Sequence, residues 1–236
     1  MNNSDKKIER LITVITVCAI LIGWYVASNY TQISSVILPS PQKTWSSFVD
    51  VLKNGYGVNK DPLLVHLWSS LQRLLIAFGL VIITAIPLGL LSGCSSKFRA
   101  FINPIVEFYR PLPPLAYYTL LVLWLGISET SKISLLYLAG FAPLYTSCVS
   151  GVTKIREDAI NGAYMLGANR LQVFINIIVP ATLPDFFTGL RTALGVEYTT
   201  LVAAEMVAAK TGIGWLVLDA SNWLKSEVVF FGVILM

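Results

Sequence analysis

Five charged or polar residues lie inside or beside apolar stretches of the chain, where such side chains are rare. They are Arg110, Arg191, Glu197, Thr200 and Glu205. Ionisable groups at membrane depth are energetically expensive and usually face a cavity or a partner. One interpretation is that the arginines offer a positive site to an anionic or zwitterionic solute while the glutamates shape its path. The other is that these groups form packing ion pairs or extend their charged ends to the membrane interface.

Histidine and cysteine, which carry much of catalysis and metal binding, are sparse in this sequence. His66 is the only histidine, and Cys18, Cys94 and Cys148 lie in or at the ends of apolar runs without a CxxC motif. The sequence also lacks the GxxxxGK[ST] loop that cradles nucleotide phosphates. We therefore predict no catalytic residue, no metal site and no cofactor in this chain.

The elements that position these residues have the composition of a membrane protein. Of 236 residues, 55% are hydrophobic and 13% are charged, and the mean hydropathy is +0.69. Such a chain cannot cover a water-facing surface, so we predict an all-α helical bundle embedded in a lipid bilayer. The net charge of +4 is dispersed, and no basic run interleaved with aromatics indicates a nucleic-acid partner.

Apolar runs predict about six transmembrane helices. The first covers residues 11–28, after an N-terminal segment at 1–10. We favour an uncleaved helix over a signal peptide because the run exceeds the ~7–15 residues of a signal core and more spans follow. An extramembrane connection, 29–66, is expected to hold one amphipathic helix near 44–53. The core, 67–236, then has its predicted spans at 67–93, 101–127, 133–151, 186–208 and from 226 onward.

Two of these spans differ from an uninterrupted membrane helix. Pro104, Pro111, Pro113 and Pro114 break the third, and broken helices at membrane depth need protein or water around the freed backbone groups. The last apolar run, 228–236, rises only ~14 Å against a hydrocarbon core of ~30 Å. We therefore expect the sixth helix to be truncated in this sequence. The stretch GISETSK between the third and fourth spans is predicted to be a short loop.

A polar segment, residues 152–185, separates the fourth predicted span from the fifth. Glu157 and Asp158 favour a helix start because acids face the positive end of the helix dipole. The helix is predicted to continue over 159–166. Gly167 can then adopt the left-handed turn that side chains resist.

A second helix is predicted after that turn, over residues 168–179, with an apolar face for the membrane boundary. Pro180 and Pro184 are expected to stop it before the fifth span. The odd–even alternation of spans and a weak excess of basic residues predict that the N-terminus and this segment are both cytoplasmic. A short rod that turns at one glycine is suited to being held by another protein. An interfacial helix pair without a partner is the alternative.

The spacing in this segment resembles the EAA loop of bacterial ABC importer permeases, whose pattern is Glu-Ala-Ala, three residues, Gly, nine residues, then Ile-x-Leu-Pro. The corresponding loop positions here are Asn161, Gly162, Ala163, Leu166, Gly167, Ile177, Val179 and Pro180. Asn161 replaces the glutamate of the pattern, so its charge is lost while the spacing is kept. ILPSP, EFYRPLPPLA, LWLGISETSKI, GFAPLY, PATLP, GLRTALG and LVAAEM extend the resemblance to the taurine, alkanesulfonate and nitrate branch over residues 37–236.

The resemblance implies a MetI-like permease subunit of an ATP-driven importer in the bacterial inner membrane, most similar to taurine-transporting members. It implies a homodimer of two permease copies, each docked by its loop on one of two ATPase subunits that bind ATP and Mg. A periplasmic binding protein would deliver the substrate. Nitrate, another sulfonate or a pyrimidine precursor stay open as substrates. A secondary transporter or channel, or a membrane-embedded enzyme, are the competing classes of function.

Overall fold

The computed structural model describes residues 3–31, 33–57 and 60–236, with side chains from residue 10 onward. These residues are 83% helical, and no strand occurs among them. The predicted all-α membrane fold is therefore confirmed. The predicted N-terminal segment and the predicted connection include positions 1, 2, 32, 58 and 59, which lie outside the described residues.

Eleven α-helices and one π-helical turn occupy the described residues. They are α1 (Asn3–Tyr30), α2 (Pro41–Asn54), α3 (Leu63–Cys94), α4 (Ser96–Tyr109), α5 (Pro114–Leu125), α6 (Glu129–Thr153), α7 (Glu157–Met165), α8 (Arg170–Val173), the π turn (Phe174–Ile178), α9 (Val179–Ala208), α10 (Ile213–Asn222) and α11 (Ser226–Leu235).

Four continuous helical stretches are long and apolar enough to cross a bilayer. They are Arg10–Tyr30 in α1, α3, α6, and the run Arg170–Ala208 that joins α8, the π turn and α9. Two shorter apolar helices, α5 and α11, accompany them. The apolar window of α1 buries none of its residues within the protein, which is expected of a helix whose solvent is lipid.

The first compact unit comprises α1, α2, the start of α3, α10 and α11. Its core contains Tyr56, Leu63, Leu216 and Phe231. His66 is fully buried in this unit, where its ring stacks at 5.5 Å on Trp215 and its Nδ1 accepts a hydrogen bond from the Gly212 amide. The one histidine of the sequence thus serves helix packing. Helix α10 was not predicted from the sequence.

The second compact unit runs from Trp68 to Lys210 and is organised around α6. Gly89 and Gly93, four residues apart on α3, allow close helix approach. A Cβ added at Gly89 would lie 2.5 Å from the Cβ of Cys148, and one at Gly93 would overlap Val152. Contact this close is typical of small-residue helix interfaces in membranes.

The two prolines expected to end the second helix of the polar segment do not end it, so that prediction is wrong. The helix passes through Pro180 and Pro184 and continues to Ala208. A wide turn precedes Pro180, in which the Val179 amide bonds to the Phe174 carbonyl five residues back. Proline has no amide to donate, and its ring clashes with the carbonyl four residues earlier in a regular helix. The π turn relaxes that geometry immediately before the proline.

The predicted loop between the third and fourth spans is shorter than expected. Helix α6 begins at Glu129, inside the stretch GISETSK. Ser128 caps it, because its hydroxyl accepts a hydrogen bond from the Ser131 amide and the Ser131 hydroxyl accepts one from the Ser128 amide. This reciprocal capping box satisfies two donors that a helix start otherwise leaves exposed.

Candidate functional site

Helix α7 begins the polar segment and ends at a tight left-handed turn. Gly167 has φ +86°, its amide bonds to the Tyr164 carbonyl at 3.0 Å, and the next amide, of Ala168, bonds to the Ala163 carbonyl at 3.0 Å. This pair of bonds is the Schellman motif, which satisfies the last carbonyls of a helix and needs a residue at positive φ. The turn expected at Gly167 is confirmed.

The chain re-enters a helix two residues later through a second capping box. The Asn169 side-chain oxygen accepts a hydrogen bond from the Gln172 amide, and the Gln172 side-chain oxygen accepts one from the Asn169 amide, both at 2.8 Å. Gly167 and Asn169 thus fix the two sides of the sharp turn between α7 and α8, which we call the corner. The polar residues in this otherwise apolar region have a structural reason, because they satisfy backbone groups at the corner.

The outer face of this corner is apolar and exposed. Met165 is 90% exposed and Leu166 is 91% exposed, and no residue of α7 is buried within this chain. Two large adjacent hydrophobic side chains at the tip of a rigid turn are typical of a contact surface for another protein.

The base of the polar segment is fixed to the second unit by an apolar cluster. Val152, Val173 and Ile178 are buried together, with Ala163 and Ile177 packed against them. The exposed tip is therefore connected through packed side chains to the end of α6 and to the start of the helical run Arg170–Ala208.

A charged cluster links α3, α6 and α9 in the second unit. Arg73 is 4% exposed and donates to the Glu205 carboxylate at 2.7 Å, while Glu205 is 1% exposed and also accepts from the Ser70 hydroxyl at 2.7 Å. Glu129 accepts from Arg73 at 2.5 Å and from Lys132 at 2.8 Å. Two acids and two bases therefore balance each other. This pairing lowers the cost of burying Arg73, Lys132 and Glu205, whereas the Glu129 side chain is 57% exposed.

Glu197 has a different environment from Glu205 on the same helix. Its side chain is fully buried, and neither carboxylate oxygen finds a hydrogen-bond partner among the described residues. It packs against Gly140 of α6, where an added Cβ would overlap the carboxylate. A polar group that is buried without a partner is rare and calls for a functional or structural explanation.

Comparison with known proteins identifies the family. A family model described as binding-protein-dependent transport system inner membrane component matches residues 85–236. The taurine transport system permease protein TauC of Escherichia coli (strain K12) is 40% identical over 94% of this chain and 80% of its own length. The chain belongs to this permease family.

The putative aliphatic sulfonates transport permease protein SsuC of Bacillus subtilis (strain 168) is 29% identical over 90% of this chain and 75% of its own length. The nitrate import permease protein NrtB of Leptolyngbya laminosa is 29% identical over 97% of this chain and 82% of its own.

Family membership confirms several expectations from the sequence. Members of this permease family are membrane-embedded subunits of ABC transporters and are not themselves enzymes. They work with an ATPase and a substrate-binding partner. The several apolar helices found here agree with a multi-pass inner membrane protein.

The residues predicted to form the loop of this permease lie on α7, in the turn that follows it and at the start of the helical run that leads into α9. Asn161, Gly162 and Ala163 lie on α7, and Leu166 and Gly167 form its C-terminal turn. Ile177 belongs to the π turn, and Val179 and Pro180 open α9. Ala163 and Ile177 both pack against the apolar cluster at the base.

The predicted pathway residues do not form one cluster. Arg191, Glu197, Thr200 and Glu205 all lie on α9, with Arg191 exposed and the other three buried, whereas Arg110 caps the C-terminal end of α4. Arg73 was not predicted as a functional residue, although a single arginine within an apolar span was a detectable signal. Its partner Glu205 is 132 residues distant in sequence, so only the folded chain reveals the pairing.

Proposed function

We propose that this chain is the transmembrane permease of an ATP-driven, binding-protein-dependent importer for taurine or a related sulfonate. The observation that carries the proposal is the rigid corner at Gly167, with an exposed apolar tip and a base packed on two spans. The names of its relatives support the substrate class, since they include taurine, aliphatic sulfonates and nitrate. Nitrate, another sulfonate or a pyrimidine precursor are the alternative substrates within the same family.

In the proposed mechanism, α7 and its tip dock on a cytoplasmic ATPase subunit that binds ATP and Mg. Two permease copies pair, each with one ATPase, and the N-terminus lies on the same side as the tip. Closure of the ATPases moves α7 as a rigid lever. Helix α6 and the helical run Arg170–Ala208 follow, because the end of α6 and the start of this run pack with the base of α7. The central path then opens alternately to the periplasmic binding protein and to the cytoplasm. Arg110, Arg191, Glu197, Thr200 and Glu205 are the proposed pathway residues.

Docking is tested by making the tip polar. The double variant Met165→Ser/Leu166→Ser removes two exposed apolar side chains and no buried contact. We expect the ATPase encoded with this chain to stop copurifying with the variant, while the permease stays inserted and retains its wild-type melting temperature. Normal copurification would contradict docking at this tip.

Coupling is tested by straining the turn. Gly167→Val forces a β-branched residue to positive φ, which costs about 1–3 kcal/mol although open space surrounds the position. We expect substrate-stimulated ATP hydrolysis to fall at least tenfold in the reconstituted importer. Gly126→Val is the matched control, because Gly126 also has positive φ and open space but ends α5, outside the polar segment. Equal coupling loss in both variants would contradict the lever mechanism.

A secondary transporter is the competing function, and the same reconstitution separates the two. Uptake driven by an ion gradient in vesicles that contain this chain without any ATPase would favour it. Uptake that requires ATP and the ATPase subunit would support the importer.

A further inference from the structure

An acid, a base and three aromatic side chains surround a cavity of about 360 Å³ in the first unit. The chain just after α2 forms one side, and α10 with the turn that follows it forms the other. The described lining consists of Tyr56, Gly57, Trp215, Asp219, Trp223 and Lys225. The volume lies within the range of small-molecule sites, about 300–1,000 Å³, so the cavity is large enough for a small polar solute.

Tyr56 contacts both charged groups of this cavity. It is 6% exposed, and its hydroxyl donates a hydrogen bond to the Asp219 carboxylate at 3.1 Å. The Lys225 ammonium lies over the Tyr56 ring, 5.2 Å from the ring centroid. Asp219 and Lys225 nevertheless form no ion pair with each other or with any other described residue. One buried tyrosine therefore positions an acid and a base that do not neutralise each other.

A strained turn at the end of α10 forms the outer wall of the cavity. The amides of Leu224 and Lys225 bond to carbonyls in the last turn of α10 at 3.0 and 2.9 Å. This is the same Schellman pattern as at Gly167, but Leu224 has φ +54° where glycine is usual. A leucine at positive φ is uncommon, and such strain clusters at functional sites. The turn carries Trp223, which is 70% exposed, and Lys225 on the two sides of the strained residue.

These groups are complementary to a solute that carries both charges. A lysine ammonium without a carboxylate partner can donate to the oxygens of an oxyanion, and a carboxylate can accept from an ammonium group. The exposed Trp223 ring adds a face that attracts cations. No other charged residue belongs to the described lining. A simple anion such as nitrate would contact only the lysine, whereas a small zwitterion contacts both charged groups.

We propose that this cavity is a binding site for a small zwitterion of the taurine type, with Lys225 as the ligand of its oxyanion and Asp219 as the ligand of its ammonium group. This inference rests on the proposed function and selects the zwitterion among the substrates that the relatives' names suggest. In the proposed orientation, the N-terminus and the corner are cytoplasmic. Tyr56 follows the first span, and Asp219 follows the span that starts at the corner. Chain order therefore assigns the cavity to the periplasmic side, where substrate arrives.

The test is equilibrium binding of taurine to the purified chain. Ethanesulfonate, which lacks the ammonium group, and ethylammonium, which lacks the sulfonate, are the comparison solutes. We expect taurine to bind about tenfold more tightly than either, because each comparison solute contacts only one of the two charged groups. No saturable taurine binding, or equal affinity for taurine and ethanesulfonate, would overturn the proposal.

Two variants locate the site and assign the ligand of each charged group. Lys225→Gln is expected to weaken taurine binding about 3- to 10-fold, a modest loss because Lys225 is exposed, and to leave ethylammonium binding unchanged. Asp219→Asn is expected to weaken taurine binding about 10-fold and to leave ethanesulfonate binding unchanged. Damage to the fold would weaken all three solutes together and would not produce this crossed pattern.

The matched controls are Lys210→Gln and Asp50→Asn. They remove the same charges from exposed positions outside the described lining of the cavity. We expect both controls to bind taurine as the wild-type chain does. Equal weakening by the controls and the site variants would show a diffuse charge effect and overturn the assignment.

A protein contact is the competing use of this cavity, since the binding protein would dock from the same side. It would appear as no taurine binding to the chain together with weaker capture of the binding protein by Lys225→Gln, and it would overturn the solute site. Failure of the proposed function is separate, because it appears as uptake that needs no ATPase. Unchanged taurine affinity in Lys225→Gln and Asp219→Asn, with ATP-driven uptake intact, defeats this inference alone.

Discussion

Removal of Arg73 provides the most direct test of how this protein buries charge. Its guanidinium donates to Glu205 at 2.7 Å and forms two hydrogen bonds to Glu129 at 2.5 and 2.9 Å. Glu205 is 1% exposed, so it cannot exchange this partner for water. Arg73→Met preserves most of the side-chain volume and leaves the Glu205 carboxylate without its cation.

The expected loss follows from the depth of the pair. Breaking a buried ion pair by removing one partner costs about 3–5 kcal/mol, since the remaining charge stays desolvated. At about 2–4 °C per kcal/mol for a chain of this length, the melting temperature should fall by about 6–20 °C. The double variant Arg73→Met/Glu205→Gln removes both charges and should recover most of this loss.

The exposed ion pair of Lys154 and Asp185 supplies the control. Its atoms are 2.6 Å apart, yet the Lys154 side chain is 63% exposed. Exposed pairs contribute about 0–1 kcal/mol, so Lys154→Met should lower the melting temperature by less than about 4 °C. Thermal unfolding of the detergent-purified chain, followed by tryptophan fluorescence, measures all three variants. Equal losses for Arg73→Met and Lys154→Met, or a double variant as unstable as the single one, would refute the reasoning.

Two further predictions concern a helix contact and a buried hydroxyl. Gly140→Ala places a methyl group against the Glu197 carboxylate, so it should lower the free energy of unfolding by about 1–3 kcal/mol. The double variant Gly140→Ala/Glu197→Ala removes the overlap and should restore the melting temperature. Burial and the hydrogen bond to Asp219 raise the pKa of Tyr56, so folding favours its protonated form. The melting temperature should therefore decline as the pH rises above about 10. The decline should be shallower in Tyr56→Phe, whereas in the control variant Tyr30→Phe it should equal that of the wild-type chain.

Features encoded by short stretches of sequence could be predicted from the residues alone. The left-handed turn at Gly167 is such a feature, because positive φ is a property of one residue and its neighbours. The acids at the start of α7 and the apolar length of the spans are equally local. The exposure of Met165 and Leu166 was not predictable in the same way, since it depends on which face of the corner packs on the spans.

Two predicted helix boundaries differ from the structure, and each lies where one local sequence rule conflicts with another. Pro180 and Pro184 are helix breakers by the local rule, but the π turn before Pro180 accommodates the missing amide and the helix continues. The loop before α6 is shorter than its sequence predicts, because the Ser128–Ser131 capping box is a weak sequence signal, with serine in place of the usual glutamate or glutamine. In both places, backbone hydrogen bonding set the boundary.

The two buried acids of α9 show what the folded chain adds to a list of candidate residues. From the sequence alone, Glu197 and Glu205 are equivalent, since both are ionisable groups in one apolar span. The structure gives Glu205 a buried cation and a hydroxyl donor, whereas Glu197 has no partner among the described residues and faces a glycine. Substitution of Glu205 therefore disturbs helix packing, and its effect on transport cannot be separated from stability. Glu197→Gln removes an ionisable group that no described residue partners and keeps nearly the same shape, because the amide is close in size to the carboxyl group. A change in uptake by Glu197→Gln at an unchanged melting temperature would thus report on the path of the solute, which makes Glu197 the more informative of the two acids.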